Sequence, residues 1–349
     1  MGLRALRLTF SLAPAGAPSH TPKQRTSTRC HTPAHTPLNP SQSHRLAQLL
    51  LWITPALWSS NYVIARAADG VIAPNALAFF RWALALALML PFAGGALFSS
   101  FAQWRHEWKQ MLVLGALGMW ICGAFVYIGA ASTSATNIGL IYAATPVAIA
   151  LAGAWLLHER VTPRQRIGMG LALGGVLLVV AKGDVANLLA VRFTAGDGWV
   201  LAAAVSWVVY TVLMQRWPSV LGPTPRLAAI IFGGLLVLLP FTLHEALANP
   251  GPALGTKALG LIVLAALLPS FFSYQAYSFM LRELGVARAG LVMYLSPVYA
   301  AATAWAVLGE APHWYHAAGA ALILPSIYLA TRAQRPASTI AGRSSPHRP

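Results

Sequence analysis

One apolar block occurs twice in this sequence, at a constant separation of 151 residues. The matched positions are Gly139 and Gly290, Pro146 and Pro297, Glu159 and Glu310, and Gly168 and Gly319. Matches at one fixed offset indicate an internal repeat. Each copy is predicted to be an apolar helix with a proline near its middle and an acidic residue where it leaves the apolar region.

Apolar runs of roughly 20 residues recur along the chain, which is the length a helix needs to cross a hydrocarbon core about 30 Å thick. Charged residues make up only 9% of the chain, against about 25% in a typical soluble domain. We therefore predict an all-α polytopic membrane protein. The predicted spans are 46–67, 74–94, 110–130, 135–157, 163–181, 197–216, 226–245, 257–281, 286–308 and 314–333. Thr162 and Gln165 have the form of a capping box at the start of the fifth span.

The basic residues predict the orientation. With the N-terminus inside, 19 of the 24 Lys and Arg residues fall on the inner side. The outer side holds Arg66, Lys182, Arg192 and Lys257, and Arg81 lies within the second span. This asymmetry follows the positive-inside rule and predicts a plasma-membrane protein with both termini in the cytoplasm. A net charge of +16 does not indicate nucleic acid as a partner, because the charges lie mostly in the tails and loops.

Each copy contains five spans. Because five is an odd number, the second copy begins on the opposite side of the membrane and has the opposite orientation to the first. Such inverted repeats are the common architecture of secondary transporters. The predicted regions are a disordered basic cytoplasmic tail (1–45), a first repeat (46–181), a second repeat (197–333) and a cytoplasmic C-terminal tail (334–349). An organelle transit peptide, a wrongly assigned start codon, and a tail held near anionic lipid are alternative interpretations of the first region.

Three parts of the chain carry a family resemblance: Leu57–Ile64, Ala78–Trp82 and the two blocks that run from proline to glutamate. On these residues the chain resembles the EamA-type transporters of the drug/metabolite transporter superfamily, over about 46–333. The resemblance implies ten transmembrane helices as two inverted five-helix repeats, a central cavity, and export of amino acids or related small metabolites. The second block departs from the first after its acidic residue, with Ala311–His313 where the first has Arg160–Thr162.

Polar and aromatic side chains within the spans are the candidates for a substrate site. Trp58, Asn61 and Tyr62 share one face of the first span, and Trp207 and Tyr210 repeat this spacing in the sixth. The remaining candidates are Asn137, Tyr142, Tyr274, Tyr277, Tyr294 and Trp305. Helix–helix hydrogen bonding or an interfacial aromatic belt is the alternative interpretation of these residues.

Five residues are predicted to serve gating or structure. Arg81 lies about 10 Å from the outer end of its span, and we interpret it as a snorkelling anchor, with a substrate-carboxylate ligand as the alternative. Glu159 and Glu310 lie at helix C-termini, where the dipole disfavours negative charge. We expect the N-terminal amides of the following helix as their partner, with proton coupling as the alternative. Pro146 and Pro297 are predicted to kink their helices, for gating or for packing.

The leading hypothesis is a secondary transporter that exports small metabolites, most simply amino acids, by alternating access. Its expected partners are a small-molecule substrate and the lipid bilayer, with coupled protons as an alternative and the oligomeric state open. A membrane-embedded lipid-modifying enzyme and a non-transporting membrane scaffold are the alternative functions. The sequence contains no HExxH, GxSxG or Walker motif, so neither an enzyme nor a cofactor is expected. Cys30 and Cys122 form no metal-site spacing, and no metal is expected.

Overall fold

The computed structural model describes residues 39–130, 132–133, 135–248, 254–308 and 311–331. These residues form helices joined by short turns, and no strand occurs among them. The helices are α1 Pro40–Ala68, α2 Pro74–Ser99, α3 Phe101–Ala130, α4 Ala135–Leu156, α5 Pro163–Val180, α6 Ala195–Arg216, α7 Pro223–Ala248, α8 Thr256–Leu284, α9 (286–308) and α10 Trp314–Thr331. A short helix, Val185–Leu189, lies between α5 and α6. Every predicted span overlaps one of these helices, and α1 begins six residues earlier than predicted.

Local sequence signals explain where several helices begin. Pro74 and Pro163 are the first residues of α2 and α5, where the missing N–H of proline costs least. The capping box predicted at α5 is present: Gln165 N donates to Thr162 Oγ1 at 3.2 Å, and Thr162 N donates to Gln165 Oε1 at 2.8 Å. The reciprocal bonds satisfy two amides that the helix itself leaves unpaired.

Six helical segments in the described part of the chain are long and apolar enough to cross a membrane. They are α2, α3, α6, α7, α8 and residues Asn137–Leu156 of α4. Large apolar side chains cover their outer faces: Phe92, Phe98 and Phe232 are 75%, 83% and 53% exposed. Such a surface is unfavourable in water and suits lipid. The chain is a multi-pass membrane protein.

Contacts between the first five helices and the last five follow a reciprocal pattern. α3 packs against α6 as α1 packs against α8, and α4 packs against α6 as α1 packs against α9. α2 packs against α7, and α5 packs against α10. If α1 is exchanged with α6, α2 with α7, and so on through α5 and α10, the same set of contacts results. Glycines permit the closest approaches: a Cβ on Gly175 of α5 would lie 2.9 Å from the carbonyl oxygen of Gly319 of α10.

The helices nearest the centre depart from regular α geometry. α3 contains a π-helical turn at Ala116–Ile121, and α8 contains one at Ala266–Phe272. The repeated glycine-to-proline block takes two forms. Pro146 lies inside α4, as predicted, whereas Gly290–Leu295 is a 3₁₀-helix and Pro297 is the second residue of the α-helical piece that follows. The regular α-helical piece of the second block thus begins at Ser296, and Pro297 lies in its first turn, where the missing N–H of proline costs least. The kinks at Pro146 and Pro297 stay predictions.

Glu159 stabilises a helix, but not the one expected. We predicted the amides of the following helix, α5, as its partner. Its carboxylate instead accepts hydrogen bonds from Val286 N at 2.9 Å and Ala287 N at 3.0 Å, at the start of α9. The negative charge thus meets the positive end of a helix in the other half. Gly285 permits this approach, because it has a φ of +80° and a Cβ there would lie 3.1 Å from the carboxylate.

Glu245 of α7 makes a similar contact with a helix of the first half. Its Oε2 accepts from Ala76 N at 3.0 Å and its Oε1 accepts from Asn75 Nδ2 at 3.0 Å, in the first turn of α2. Among the described residues, each half therefore supplies a carboxylate to a helix N-terminus of the other. Glu310, the predicted counterpart of Glu159, lies outside the described residues.

Candidate functional site

A cavity of about 340 Å³ lies between the two sets of five helices, with lining residues from α1 to α6, α8 and α9. Small-molecule sites have volumes of about 300–1,000 Å³, so a compact metabolite fits. Seven residues singled out from the sequence line this cavity: Trp58, Asn61, Arg81, Tyr142, Trp207, Tyr274 and Pro297.

Three aromatic rings form one wall of the cavity. Trp58 of α1 meets Trp207 of α6 edge to face, with ring centroids 5.4 Å apart. Tyr274 of α8 lies 6.2 Å from Trp58 and 5.6 Å from Trp207 in the same arrangement. Each such aromatic pair contributes about 0.5–1.5 kcal/mol beyond the burial of its area. The wall therefore also holds α1, α6 and α8 together at the centre.

The π-helical turns position these rings through their backbone carbonyls. A π turn leaves carbonyl groups without their usual helical donors, and buried carbonyls require other partners. In α8, Pro269 O accepts from Trp58 Nε1 at 3.2 Å. In α3, three successive carbonyls accept from side chains of other helices: Leu117 O from Ser206 Oγ at 2.8 Å, Gly118 O from Tyr274 OH at 3.1 Å, and Met119 O from Trp82 Nε1 at 3.2 Å.

Three other predicted aromatic residues are buried but do not line the cavity. Tyr210 stacks on Trp207 at 5.3 Å. Tyr277 lies 5.0 Å from Trp207, and its hydroxyl bonds Thr211 Oγ1 at 3.1 Å. Both rings therefore support the aromatic wall from behind. Tyr294 is fully buried in a second apolar cluster with residues of α4, α5, α9 and α10.

The structure places two predicted residues away from the cavity. Asn137 donates to Asp197 Oδ2 and to Arg192 O, both at 2.9 Å, and so joins α4 to the start of α6. Trp305 is 59% exposed and borders a separate recess with Pro312 and His316. The side chain of Tyr62 lies outside the described part of the structure.

Arg81 supplies the charge at this site. It is only 5% exposed, and its Nη1 donates to Asn61 Oδ1 at 3.2 Å and to Tyr127 OH at 3.0 Å. Tyr127 OH in turn donates to Asn61 Oδ1 at 2.7 Å. The guanidinium carbon lies 5.1 Å from the centre of the Trp82 ring, in cation–π range. None of the described lining residues is Asp or Glu, so the cavity combines one cation with an aromatic wall.

Several lining residues were missed from the sequence, among them Cys122, Pro269, Met293 and Ser296. All four lie within or beside the π-helical turns or the 3₁₀ segment. Helical face assignments assume 100° per residue, and an extra or tighter turn rotates the residues that follow. No periodic signal could have found them.

Comparison with known proteins assigns the family. The profile of the EamA-like transporter family matches residues 45–181 and again residues 194–332. The chain belongs to the EamA-like transporter family. This confirms the resemblance carried by the proline-to-glutamate blocks, and it makes the chain a transporter.

Relatives of this EamA-like transporter differ in what their names specify. An uncharacterized transporter of Archaeoglobus fulgidus is 27% identical, over 82% of this chain and 97% of the relative. A probable terminal-alkyne amino-acid exporter of Streptantibioticus cattleyicolor is 28% identical, over 65% of this chain and 74% of the relative. An S-adenosylmethionine/S-adenosylhomocysteine transporter of Chlamydia trachomatis is 22% identical, over 76% of this chain and 83% of the relative.

A solved crystal structure shares the fold. It superposes with a TM-score of 0.68 at 20% identity, and covers 82% of this chain and 96% of the other. At this identity the likeness concerns the fold alone.

Proposed function

We propose that this transporter exports small amphipathic metabolites, amino acids or related compounds, across the plasma membrane by alternating access. The observation that carries the proposal is the cavity at the meeting of the two sets of five helices. An alternating-access carrier keeps its ligand near the axis that relates its halves, so that rocking changes access while the contacts persist. Trp58 and Trp207 meet at this position, one from each set.

The proposed architecture is ten membrane crossings in two inverted repeats, with both termini in the cytoplasm. Three observations support it. The contacts are unchanged by exchange of the two sets of helices, the two π-helical turns recur in α3 and α8, and the family profile matches twice. Tags at either terminus should then be accessible from the cytoplasm, and a tag in the segment 182–197 from outside. An external C-terminal tag would contradict both the ten crossings and the inversion.

The proposed substrate class follows from the lining. Aromatic rings offer a large apolar area, and Asn61, Tyr142 and Ser296 add hydrogen-bonding groups. A metabolite with an apolar body and a polar head matches this combination. Two relatives have names that point the same way, one an amino-acid exporter and one a transporter of an amino-acid derivative.

The test is flux in liposomes that contain only this purified protein. Vesicles loaded with unlabelled phenylalanine should accumulate external radiolabelled phenylalanine by counterflow, and Trp58→Ala together with Trp207→Ala should abolish this accumulation. A non-transporting scaffold predicts no flux, and a lipid-modifying enzyme predicts altered lipid without flux. Repeating the assay with and without a pH gradient tests coupling to protons.

A further inference from the structure

Arg81 carries a buried charge that has no charged partner among the described residues. No ion pair to its guanidinium forms within the described residues, and its two hydrogen-bond partners, Asn61 and Tyr127, are both neutral. Burying a charge is costly unless it is paired and hydrogen-bonded. Within the described part of the chain, Nε has no partner, and a guanidinium offers five donors. The protein alone therefore leaves much of this cation's binding capacity unused.

The side chain does not snorkel to the membrane surface. Arg81 lies seven residues from the start of α2, Asn61 seven residues from the end of α1, and Gly123 seven residues from the end of α3. These helix ends lie on one side, so the three residues share one depth, about 10 Å in. The guanidinium lies at this same depth: a Cβ on Gly123 would be 3.1 Å from Nη2. Outward snorkelling, which the sequence suggested for this side chain, does not describe this geometry.

The guanidinium instead borders the cavity. Arg81, Asn61 and Gly123 are all lining residues, and a glycine at 123 leaves room beside Nη2. Arginine binds carboxylates with charge-assisted hydrogen bonds that are about twice as strong as neutral ones. The aromatic wall of Trp58, Trp207 and Tyr274 lines the same cavity.

We infer that Arg81 is a specificity-determining residue that binds the carboxylate of the transported substrate, whose apolar body packs against the aromatic wall. This inference rests on the proposed transport function and narrows its substrates to carboxylate compounds. Asn61 and Tyr127 hold the guanidinium at its Nη1 and leave Nη2 for the substrate. A carboxylate at this position supplies the missing counter-charge, so the site is completed by its ligand.

Three probes with a common phenyl group test the inference in liposomes that contain the purified full-length protein. Phenylalanine has both a carboxylate and an amine, 3-phenylpropionate lacks the amine, and phenethylamine lacks the carboxylate. Competition of each against the phenylalanine counterflow, and uptake of each in labelled form, are measured for the wild type, Arg81→Gln and Arg81→Lys. Arg166→Gln, an exposed change in the first turn of α5, is the matched control.

The expected result is a change in selectivity. Arg81→Gln should lower the apparent affinity for phenylalanine and for 3-phenylpropionate at least about tenfold, which corresponds to about 1.4 kcal/mol. The apparent affinity for phenethylamine should change by no more than about twofold. Arg81→Lys should recover part of the loss, and Arg166→Gln should match the wild type. A misfolded protein cannot produce this pattern, since it would lose transport of all three probes together.

Two results overturn the inference while transport itself stands. One is an equal loss of affinity for all three probes in Arg81→Gln, which would assign a structural role to Arg81. The other is unchanged transport of phenylalanine in Arg81→Gln. If the wild type moves none of the three compounds, the proposed function fails, and the carboxylate assignment fails with it.

Discussion

The first five helices and the last five share a framework but differ in charge. Both supply a tryptophan to the aromatic wall, Trp58 and Trp207, and both carry a π-helical turn in their third helix. At the place in α7 that corresponds to Arg81 in α2, the residues are Ile230, Ile231 and Phe232. Among the described lining residues, only the first half therefore directs a cation at the cavity. In the function we propose, the shared features let two halves close around one site, and the difference lets that site recognise a ligand with one charged end.

The contact between α5 and α10 is the most extensive one between the two halves, and of the changes that follow we expect the largest effect there. Gly175→Ala would place a methyl group 2.8 Å from Ile323 and 2.9 Å from the carbonyl of Gly319. Overpacking of this kind costs about 1–3 kcal/mol, so the thermal midpoint of the detergent-solubilised protein should fall clearly.

The neighbouring glycine is the matched control. A Cβ on Gly174 has nothing within 4 Å, so Gly174→Ala should leave the midpoint unchanged or raise it slightly, because alanine favours helix by about 1 kcal/mol over glycine. Equal midpoints for the two variants would show that α5 and α10 do not pack as described.

The next effect concerns the two tryptophans that the halves contribute. Trp58→Ala and Trp207→Ala should each lower the affinity for phenylalanine at least about fivefold, equal to about 1 kcal/mol, while expression is preserved. Trp305→Ala is the control, because this ring lies outside the cavity. Concentration dependence of counterflow measures all three. Wild-type affinity in both cavity variants would move the substrate site elsewhere.

A smaller effect is expected from removing the charge of Glu159 or Glu245, each of which caps a helix N-terminus in the other half. Glu159→Gln and Glu245→Gln should each destabilise the fold by about 0.3–1 kcal/mol, since an anion at a helix N-terminus contributes about that much. Glu283→Gln should have less effect, because Glu283 pairs with the exposed Arg282. Unequal losses for Glu159 and Glu245, measured by thermal unfolding, would show that only one of the two caps is structural.

The smallest effect is expected outside both halves. Deletion of residues 1–38 should change neither membrane insertion nor transport, because that segment has no periodic apolar face. Fluorescence of a C-terminal fusion in membrane fractions measures insertion. Loss of membrane targeting after the deletion would identify the segment as a signal.

The positions of the helices could be predicted from the sequence because the hydrocarbon core imposes one length and one composition on every span. The largest boundary difference is at α3, predicted from 110 and observed from 101. Its first residues are amphipathic, and Glu107 is held by Val220 N at 3.1 Å and by the hydroxyl of Ser219. Such a contact between segments distant in sequence leaves no trace in local hydropathy.

Helical spacing predicted part of the cavity lining. In α1, the spacing of Trp58 and Asn61 does place both on the cavity. In α8, Tyr277 lies behind the aromatic wall, although Tyr274 in the same regular stretch Ser273–Leu284 lines the cavity. In α9, Tyr294 lies within the 3₁₀ segment, whose turns do not follow the α-helical period, and it belongs to another cluster. Asn137 could not be assigned from sequence, because its partner Asp197 comes from α6. The direction of the Arg81 side chain likewise depends on Asn61 and Tyr127 from two other helices.

Side-dependent labelling of Cys122 tests alternating access most directly. Cys122 lines the cavity, and Cys30→Ser leaves it as the only cysteine of the chain. A membrane-impermeant thiol reagent is applied to oriented vesicles, first from outside and then, in a separate sample, from inside. Alternating access predicts that Cys122 reacts from both sides, and that phenylalanine slows both reactions. Reaction from one side only, or from neither, with or without phenylalanine, would contradict the account.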